Sequence, residues 1–303
     1  MLRIATCALL PEPDADEGPL LAALARRGVP ARLAAWDASG EDWDEPHPTV
    51  IRSTWNYIHA LDAFRRWVDR AAAAGPLWNP AAVVRENLHK SYLARLAGAG
   101  HGVVPTVFLA RGDRGDIRSI RAKRRLDRVV IKPTVSAGSF GTSLFGPGED
   151  DAAQEHLDRL LAERDAMVQE YLPSVEDHGE RSLVWIDGEF THAMRKSPRF
   201  STDAESVTGP FEIVPDERAL AEAVLGPIAA AHDLLYGRVD LARDAAGRPV
   251  LMELELVEPS LFLAQYPPAL ERLCEALVRR SSSFARVRPS VPEGDRPRWS
   301  DPT

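Results

Sequence analysis

Val250-Leu251-Met252-Glu253-Leu254-Glu255-Leu256-Val257-Glu258-Pro259-Ser260 sets two carboxylates two positions apart inside an apolar run. The run reads as a strand, and residues i and i+2 of a strand share a face. Glu253 and Glu255 therefore project side by side. A third acid precedes them in Gly237-Arg238-Val239-Asp240-Leu241. Carboxylates gathered away from water repel one another, and an uncompensated one is driven to take up a proton. A hard divalent cation resolves the conflict, and Mg²⁺ with a phosphate as co-ligand suits oxygen donors of this kind. Asp240, Glu253 and Glu255 are accordingly read as metal ligands, and the chemistry as that of a nucleotide.

The bulk composition agrees with a folded enzyme and excludes other classes. A chain of 303 residues suits two or three packed subdomains. Its net charge of −8 argues against a nucleic-acid partner, which needs a clustered basic surface. The short basic run Arg121-Ala122-Lys123-Arg124-Arg125 reads as a solvated helix or loop. Two cysteines, Cys7 and Cys274, make no disulfide framework and are expected as reduced, buried thiols. The apolar opening decade stops at Pro11-Glu12-Pro13-Asp14, too short for a signal peptide or a membrane span. A cytoplasmic protein without membrane contact is expected.

Moving outward from the acidic strands, the amino-terminal third alternates strand and helix. Strands are predicted at 3–9, 31–36 and 49–52, with helices at 17–27 and 61–73, a βαβ pattern that implies a small parallel sheet. Ligands bind such sheets at the carboxyl ends of strands, which makes the segment from Arg52 through Trp55 to Tyr57 a binding candidate, although a structural role fits Arg52 and Tyr57 equally. Further on, a helix is predicted over 86–97, strands over 104–109, 128–133 and 166–170, and a helix over 149–164. The strands 180–186 and 189–195 form a hairpin through Asp187-Gly188. A helix over 217–235, the acidic strand pair and a closing helix over 270–280 complete the chain.

Lys132 ends an apolar strand just before Pro133, where its ammonium can neutralise a phosphate as a point charge. The loop Ser136-Ala137-Gly138-Ser139-Phe140-Gly141-Thr142 has little side-chain bulk and offers backbone N–H groups and hydroxyls to phosphate oxygens. It lacks the Walker A spacing, and by itself it reads as an ordinary surface turn sooner than as a phosphate lid. Lys132 beside it and the acidic site downstream turn the reading towards a phosphate lid. Gln169-Glu170-Tyr171-Leu172-Pro173 can present backbone groups to a flat base, or simply end a strand.

In this order, Asn87-Leu88-His89-Lys90, Lys132-Pro133 with its loop, Gln169-Glu170-Tyr171-Leu172, Gly179-Glu180, Arg195-Lys196, Asp240 and Glu253-Leu254-Glu255 resemble the ATP-grasp superfamily. The resemblance covers roughly residues 87–260. It is nearest to the branch of glutathione synthetase and ribosomal-protein glutamate ligase, and to the O-ureido-serine cyclo-ligases of antibiotic biosynthesis. It implies an α/β (α+β) ATP-grasp fold with a Rossmann-like pre-grasp domain over residues 1–85. A small lid subdomain over 86–165, a catalytic subdomain with the metal site over 166–280 and a disordered tail over 281–303 follow.

The same resemblance assigns roles. Lys90 and Lys132 contact the phosphates of ATP, with Ser136, Gly138 and Ser139 closing over them. Gln169, Glu170 and Leu172 hold the adenine, and Glu180 the ribose. Arg195, with Lys132, supports phosphoryl transfer and the tetrahedral intermediate. Asp240, Glu253 and Glu255 hold Mg²⁺, with Glu255 standing where many relatives carry asparagine. Arg52, Trp55, Tyr57 and Ser260 face the substrate, and whether Glu258 joins the metal stays open. The activity implied is ligation of a carboxylate to a nitrogen through an acyl phosphate, on a small amino-acid-like molecule. Intramolecular closure and intermolecular amide formation are both compatible with it, as is a non-catalytic nucleotide-binding protein. A homodimer is compatible with the family.

Overall fold

The computed structural model describes residues 1–197 and 206–287. Its first sheet is parallel and joins β1 (Leu2–Thr6), β2 (Ala31–Ala35), β3 (Thr49–Ser53) and β4 (Leu77–Trp78) in the order β2-β1-β3-β4. α1 (Glu17–Arg26) and α2 (Leu61–Ala74) pack on it. The buried residues of α2 are Phe64, Trp67, Val68 and Ala71, a spacing of three and four that keeps one helical stripe on the core. The strand order changes direction between β1 and β3, and ligand-binding loops gather at such a switch point.

Two short helices follow, α3 (Ala81–Asn87) and α4 (Tyr92–Gly98), where the periodicity predicts one helix over 86–97. The break is held by tertiary bonds: the Lys90 N–H donates to the Thr134 carbonyl at 2.9 Å, and the Asn87 side chain bonds Leu254 and Leu256 on the acidic strand.

The second sheet is antiparallel. It contains β5 (Thr106–Leu109), β6 (Val129–Pro133), β7 (Ser143–Phe145) and β8 (Ala166–Glu170) in the order β5-β8-β6-β7, with α5 (Ile117–Arg124) and α6 (Asp150–Glu163) on one face. Val129 and Ile131 of β6 enter the core with Leu157 and Leu161, while Val130 and Lys132 alternate to the other face.

After the single turn α7 (Ser174–Asp177) comes the largest sheet, in the order β11-β10-β9-β12-β13. Its strands are β9 (Glu180–Ile186), β10 (Glu189–Ser197), β11 (Ser206–Phe211), β12 (Tyr236–Arg243) and β13 (Pro249–Glu255). α8 (Pro215–Ala231) covers one face through Ala221, Val224 and Leu225. The closing helix α9 (Pro267–Val287) covers the other, wedging Leu273, Cys274 and Leu277 against Val184, Ile186 and the first sheet. Helix α9 thus runs through 281–287, part of the expected tail; the remainder of that tail lies outside the described residues. Both cysteines are free and buried. Among the described residues no helix is long and apolar enough to cross a membrane.

Candidate active site

A cavity of about 1090 Å³ opens where the three sheets meet. Its floor is one face of the large sheet, and strand register determines which side chains stand there. Asp240 is paired with Ser182 and with Glu253, Arg238 with Val184 and with Glu255, and Lys196 with Glu180. Residues paired across antiparallel strands share a face, so Glu180, Lys196, Arg238, Asp240, Glu253 and Glu255 form one patch spanning four strands.

Within it charges alternate. Lys196 donates to Asp240 at 2.9 Å and also pairs with Glu180. Arg238 grips both oxygens of Asp240, at 2.9 and 2.8 Å, and also pairs with Glu255. Lys90 reaches in from the break between α3 and α4, 3.0 Å from Glu253 and 3.0 Å from both the carbonyl and the hydroxyl of Ser136.

This patch does not treat its acids alike. Burial acts upward on Asp240, yet Arg238 and Lys196 hold its carboxyl far below the usual carboxylate range. Burial also acts upward on Glu253, and Lys90 with Lys132 outweighs it. Glu255 is raised to about 8 by burial, with Arg238 opposing and Asp240 and Glu253 reinforcing the rise. Burial likewise raises Glu180 and Glu258 to about 7. Lys132 is lowered by burial, against the pull of Glu253. Five carboxylates (Glu180, Asp240, Glu253, Glu255, Glu258) thus meet four cations (Lys90, Lys132, Lys196, Arg238), and the unfilled demand falls on Glu255, Glu180 and Glu258.

The donor set tests whether a divalent cation fits. Glu253 and Glu255 lie on one face, half-buried, and open into the cavity. Replacing a proton on Glu255 by Mg²⁺ would relieve the repulsion that raises it. Asp240 is sealed, with both oxygens taken by Arg238 and Lys196. Among the described residues no three His, Cys, Asp or Glu side chains gather as a metal cage. The protein thus offers an incomplete oxygen shell, of the kind Mg²⁺ completes with water and phosphate.

The remaining walls come from the other two sheets. Lys132 and Val130 of β6, the β8 exit at Gln169, Glu170 and Leu172, and the loop bearing Ser136, Gly138 and Ser139 form one side. Gly138 and Ser139 both have positive φ, 56° and 63°, which curls this loop over the cavity. Next to this loop stand the loops after β1 and β3, the two strands flanking the switch point, with His59 edge-on to Phe140 at 5.1 Å. They contribute Leu9 to Glu12 and the 3₁₀ turn Trp55–His59, which carries Trp55 and Tyr57. Ser260 lines the same end.

Fourteen of the residues singled out from sequence therefore line one cavity: Trp55, Tyr57, Lys90, Lys132, Ser136, Gly138, Ser139, Gln169, Glu170, Leu172, Glu180, Glu253, Glu255 and Ser260. Three do not. Asp240 lies beneath the floor. Arg52 is buried, donates to the Pro259 carbonyl at 2.8 Å and lies over the Tyr236 ring.

Arg195 points to the opposite face of the sheet, donating to the Asp177 carbonyl, where a Cβ on Gly179 would meet its Cγ at 2.5 Å. The cause is a β-bulge. The two-residue hairpin pairs Glu189 with Ile186 and Phe190 with Trp185, which by strict alternation brings Arg195 opposite Glu180. One extra residue between Phe190 and His192 shifts the register, and Lys196 takes that place. Sequence reasoning thus missed Lys196 as a cavity residue, and also Arg238. Arg238 carried a readable signal, since it lies two residues before Asp240 on a strand and so shares its face.

These features define an ATP-grasp ligase, an ATP-dependent enzyme that forms carbon–nitrogen bonds. A family model for the N-terminal domain of D-cycloserine synthetase DcsG matches residues 2–79. The cycloserine biosynthesis protein DcsG of Streptomyces lavendulae is 32% identical over 295 residues, covering 92% of this chain and 98% of its own length. The crystal structure of D-cycloserine synthetase DcsG has a TM-score of 0.84 to this chain at 32% identity, covering 92% of this chain and 99% of that one. D-alanine–D-alanine ligase from Bacillus anthracis, solved with ATP, shares the fold at a TM-score of 0.66 and 12% identity over 94% of this chain and 98% of its own. The chain belongs to the DcsG family of ATP-grasp ligases.

Proposed function

We propose that this enzyme uses ATP to phosphorylate the carboxylate of a small amino-acid-like substrate and closes that substrate on itself, acting on O-ureido-serine to form a cycloserine ring. The observation that carries the reading is the charged patch: an anionic surplus on one strand face, opposed by two lysines from other elements, beneath a small-residue loop. Similarity to DcsG over nearly the whole of both chains supports the substrate class.

Lys90 and Lys132 neutralise the polyphosphate as point charges, and Ser136, Gly138 and Ser139 close over it, keeping water from the activated acyl group. The β8 exit holds the adenine through Gln169, Glu170 and Leu172, and Glu180 receives the ribose. Glu253 and Glu255 would hold Mg²⁺, and Asp240 fixes Arg238 and Lys196 behind them. The metal, when bound, supplies charge neutralisation for phosphoryl transfer. Arg238, in place of Arg195, offers its guanidinium to the oxyanion formed when the oxygen-bound nitrogen of the substrate attacks the acyl carbon and phosphate leaves. The carbamoyl group that this nitrogen carries stays on the new ring until water removes it, as carbon dioxide and ammonia, to give cycloserine. Residues 1–85 then serve as the pre-grasp domain that presents Trp55 and Tyr57 to the substrate.

The test is ADP release with Mg²⁺ over a panel of amino acids and ureido compounds. O-ureido-serine alone should stimulate release and yield the ring. Stimulation only with an added amine would make the enzyme intermolecular, and ATP binding without any stimulation would make it a nucleotide-binding module. Glu253→Gln should lower turnover at least about 100-fold with the fold intact, because the metal loses a charged ligand; unchanged turnover would remove Glu253 from the metal.

A further inference from the structure

Beyond β13 the chain runs across the cavity as a strap, and its backbone is held by side chains rather than by a neighbouring strand. Four consecutive carbonyls are taken. Val257 accepts from the Tyr236 hydroxyl at 2.8 Å and Glu258 from the Trp55 indole N–H at 3.1 Å. Pro259 accepts from Arg52 at 2.8 Å, and Ser260 from Arg238 at 3.2 Å. Further along, the Ala264 N–H donates to Asp16 at 3.0 Å. Tyr236 and Arg52 are themselves buried and stacked on each other. A segment held at four successive carbonyls keeps its side chains in place, so what it points into the cavity is set before any ligand arrives.

It points Glu258. Among the described residues no lysine or arginine forms an ion pair with this carboxylate, whereas Glu180, Asp240, Glu253 and Glu255 each have one. Its partner is a neutral group, the buried hydroxyl of Tyr57. Both line the cavity. A half-buried carboxylate with one neutral donor has acceptor capacity to spare, and a ligand bearing a cationic N–H group would use it.

We propose that Glu258, oriented by Tyr57 and by the Trp55–Arg52–Arg238 anchoring of its strap, is the receptor for the α-ammonium of the amino-acid substrate. The proposal rests on the ligase reading and assigns its substrate-selecting group. An ammonium seated there leaves the substrate carboxylate free to face the patch cations, which orients the molecule for phosphorylation. Arg52, which the resemblance places facing the substrate, acts instead as a positioning residue through the Pro259 carbonyl.

The test compares O-ureido-serine with its counterpart lacking the α-amino group, by calorimetric binding in the presence of Mg²⁺ and a non-hydrolysable ATP analogue, and by ADP release. The native enzyme should prefer the ammonium-bearing compound by about 10- to 100-fold, the range for a charge-assisted pair in a protein site. Glu258→Gln should reduce that preference to within about threefold and leave binding of the ATP analogue unchanged. A Gln variant that keeps the native preference, or that loses nucleotide affinity instead, overturns the assignment. Should that variant not fold, Tyr57→Phe reads the same quantity: the preference should fall severalfold, and an unchanged preference overturns the role. Failure of the ligase reading is separately visible as absence of ADP release from the native enzyme even where calorimetry shows the preference.

Discussion

Asp240 on β12 and Glu255 on β13 share one guanidinium, that of Arg238, yet they sit at opposite extremes. Asp240 has Lys196 as a second cation and is ionised throughout the ordinary pH range, while Glu255 has no second cation and is raised to about 8. The more deeply buried of the two carboxylates is thus the ionised one, because the count of cations paired with each decides whether desolvation or Coulomb attraction wins. The floor is a closed ion network that stabilises the protein's own geometry. The wall beside it is electrically incomplete, and incompleteness is what a bound cation or cationic ligand requires.

The largest expected effect comes from breaking what the two regions share. Arg238→Ala leaves Asp240 with Lys196 alone and Glu255 with no cation, and removing one partner from a buried pair costs about 3–5 kcal/mol. Urea unfolding should show a loss of this size together with loss of turnover, whereas a loss below about 1 kcal/mol would mean that the floor is not closed.

The next effect is the pH dependence of the ligand-free protein. Glu180, Glu255 and Glu258 have folded values of about 7, 8 and 7 against an ordinary 4.5, so between these limits the native state binds more protons than the unfolded chain. Stability contributed by their protonation is therefore present at pH 5 and lost as pH rises towards 8. Asp240 has the reverse sign, its stabilisation being lost only as pH falls below the ordinary carboxylate range. Urea midpoints should decline from pH 5 to 8.5, and Mg²⁺ with a non-hydrolysable ATP analogue should flatten the decline. A flat ligand-free profile would show that the wall is not short of positive charge.

The smallest effect belongs to Glu255→Gln, which removes the surplus charge without emptying the site. The ligand-free protein should gain about 1 kcal/mol at pH 8, and Mg²⁺-dependent nucleotide binding should weaken severalfold. Tighter nucleotide binding in this variant would place the metal on Glu253 without Glu255.

The parts of this contrast were legible beforehand, but the contrast was not, since the sequence reads Asp240, Glu253 and Glu255 alike as metal ligands. Side chains two apart on a strand must share a face, so Glu253 and Glu255 came together without any knowledge of neighbours. Lys132 was legible from its place at the end of an apolar strand, before Pro133. Small residues at 136–142 announced a loop that could curl closely, and Asp187-Gly188 a hairpin. The break between α3 and α4 was not legible, because it depends on bonds from Asn87 and Lys90 to residues far along the chain.

The sequence alone determined that this protein carries an acidic strand pair, a lysine and small-residue phosphate loop, and a leading βαβ sheet, since each is a local pattern of period or composition. Tertiary structure decided which neighbouring residue of a pair faces the site. A single extra residue at the β10 bulge exchanged Arg195 for Lys196, and anchoring by Trp55, Arg52 and Arg238 turned Glu258 inward. Face and orientation depend on register and on distant partners, and neither is encoded in the spacing of residues along one strand.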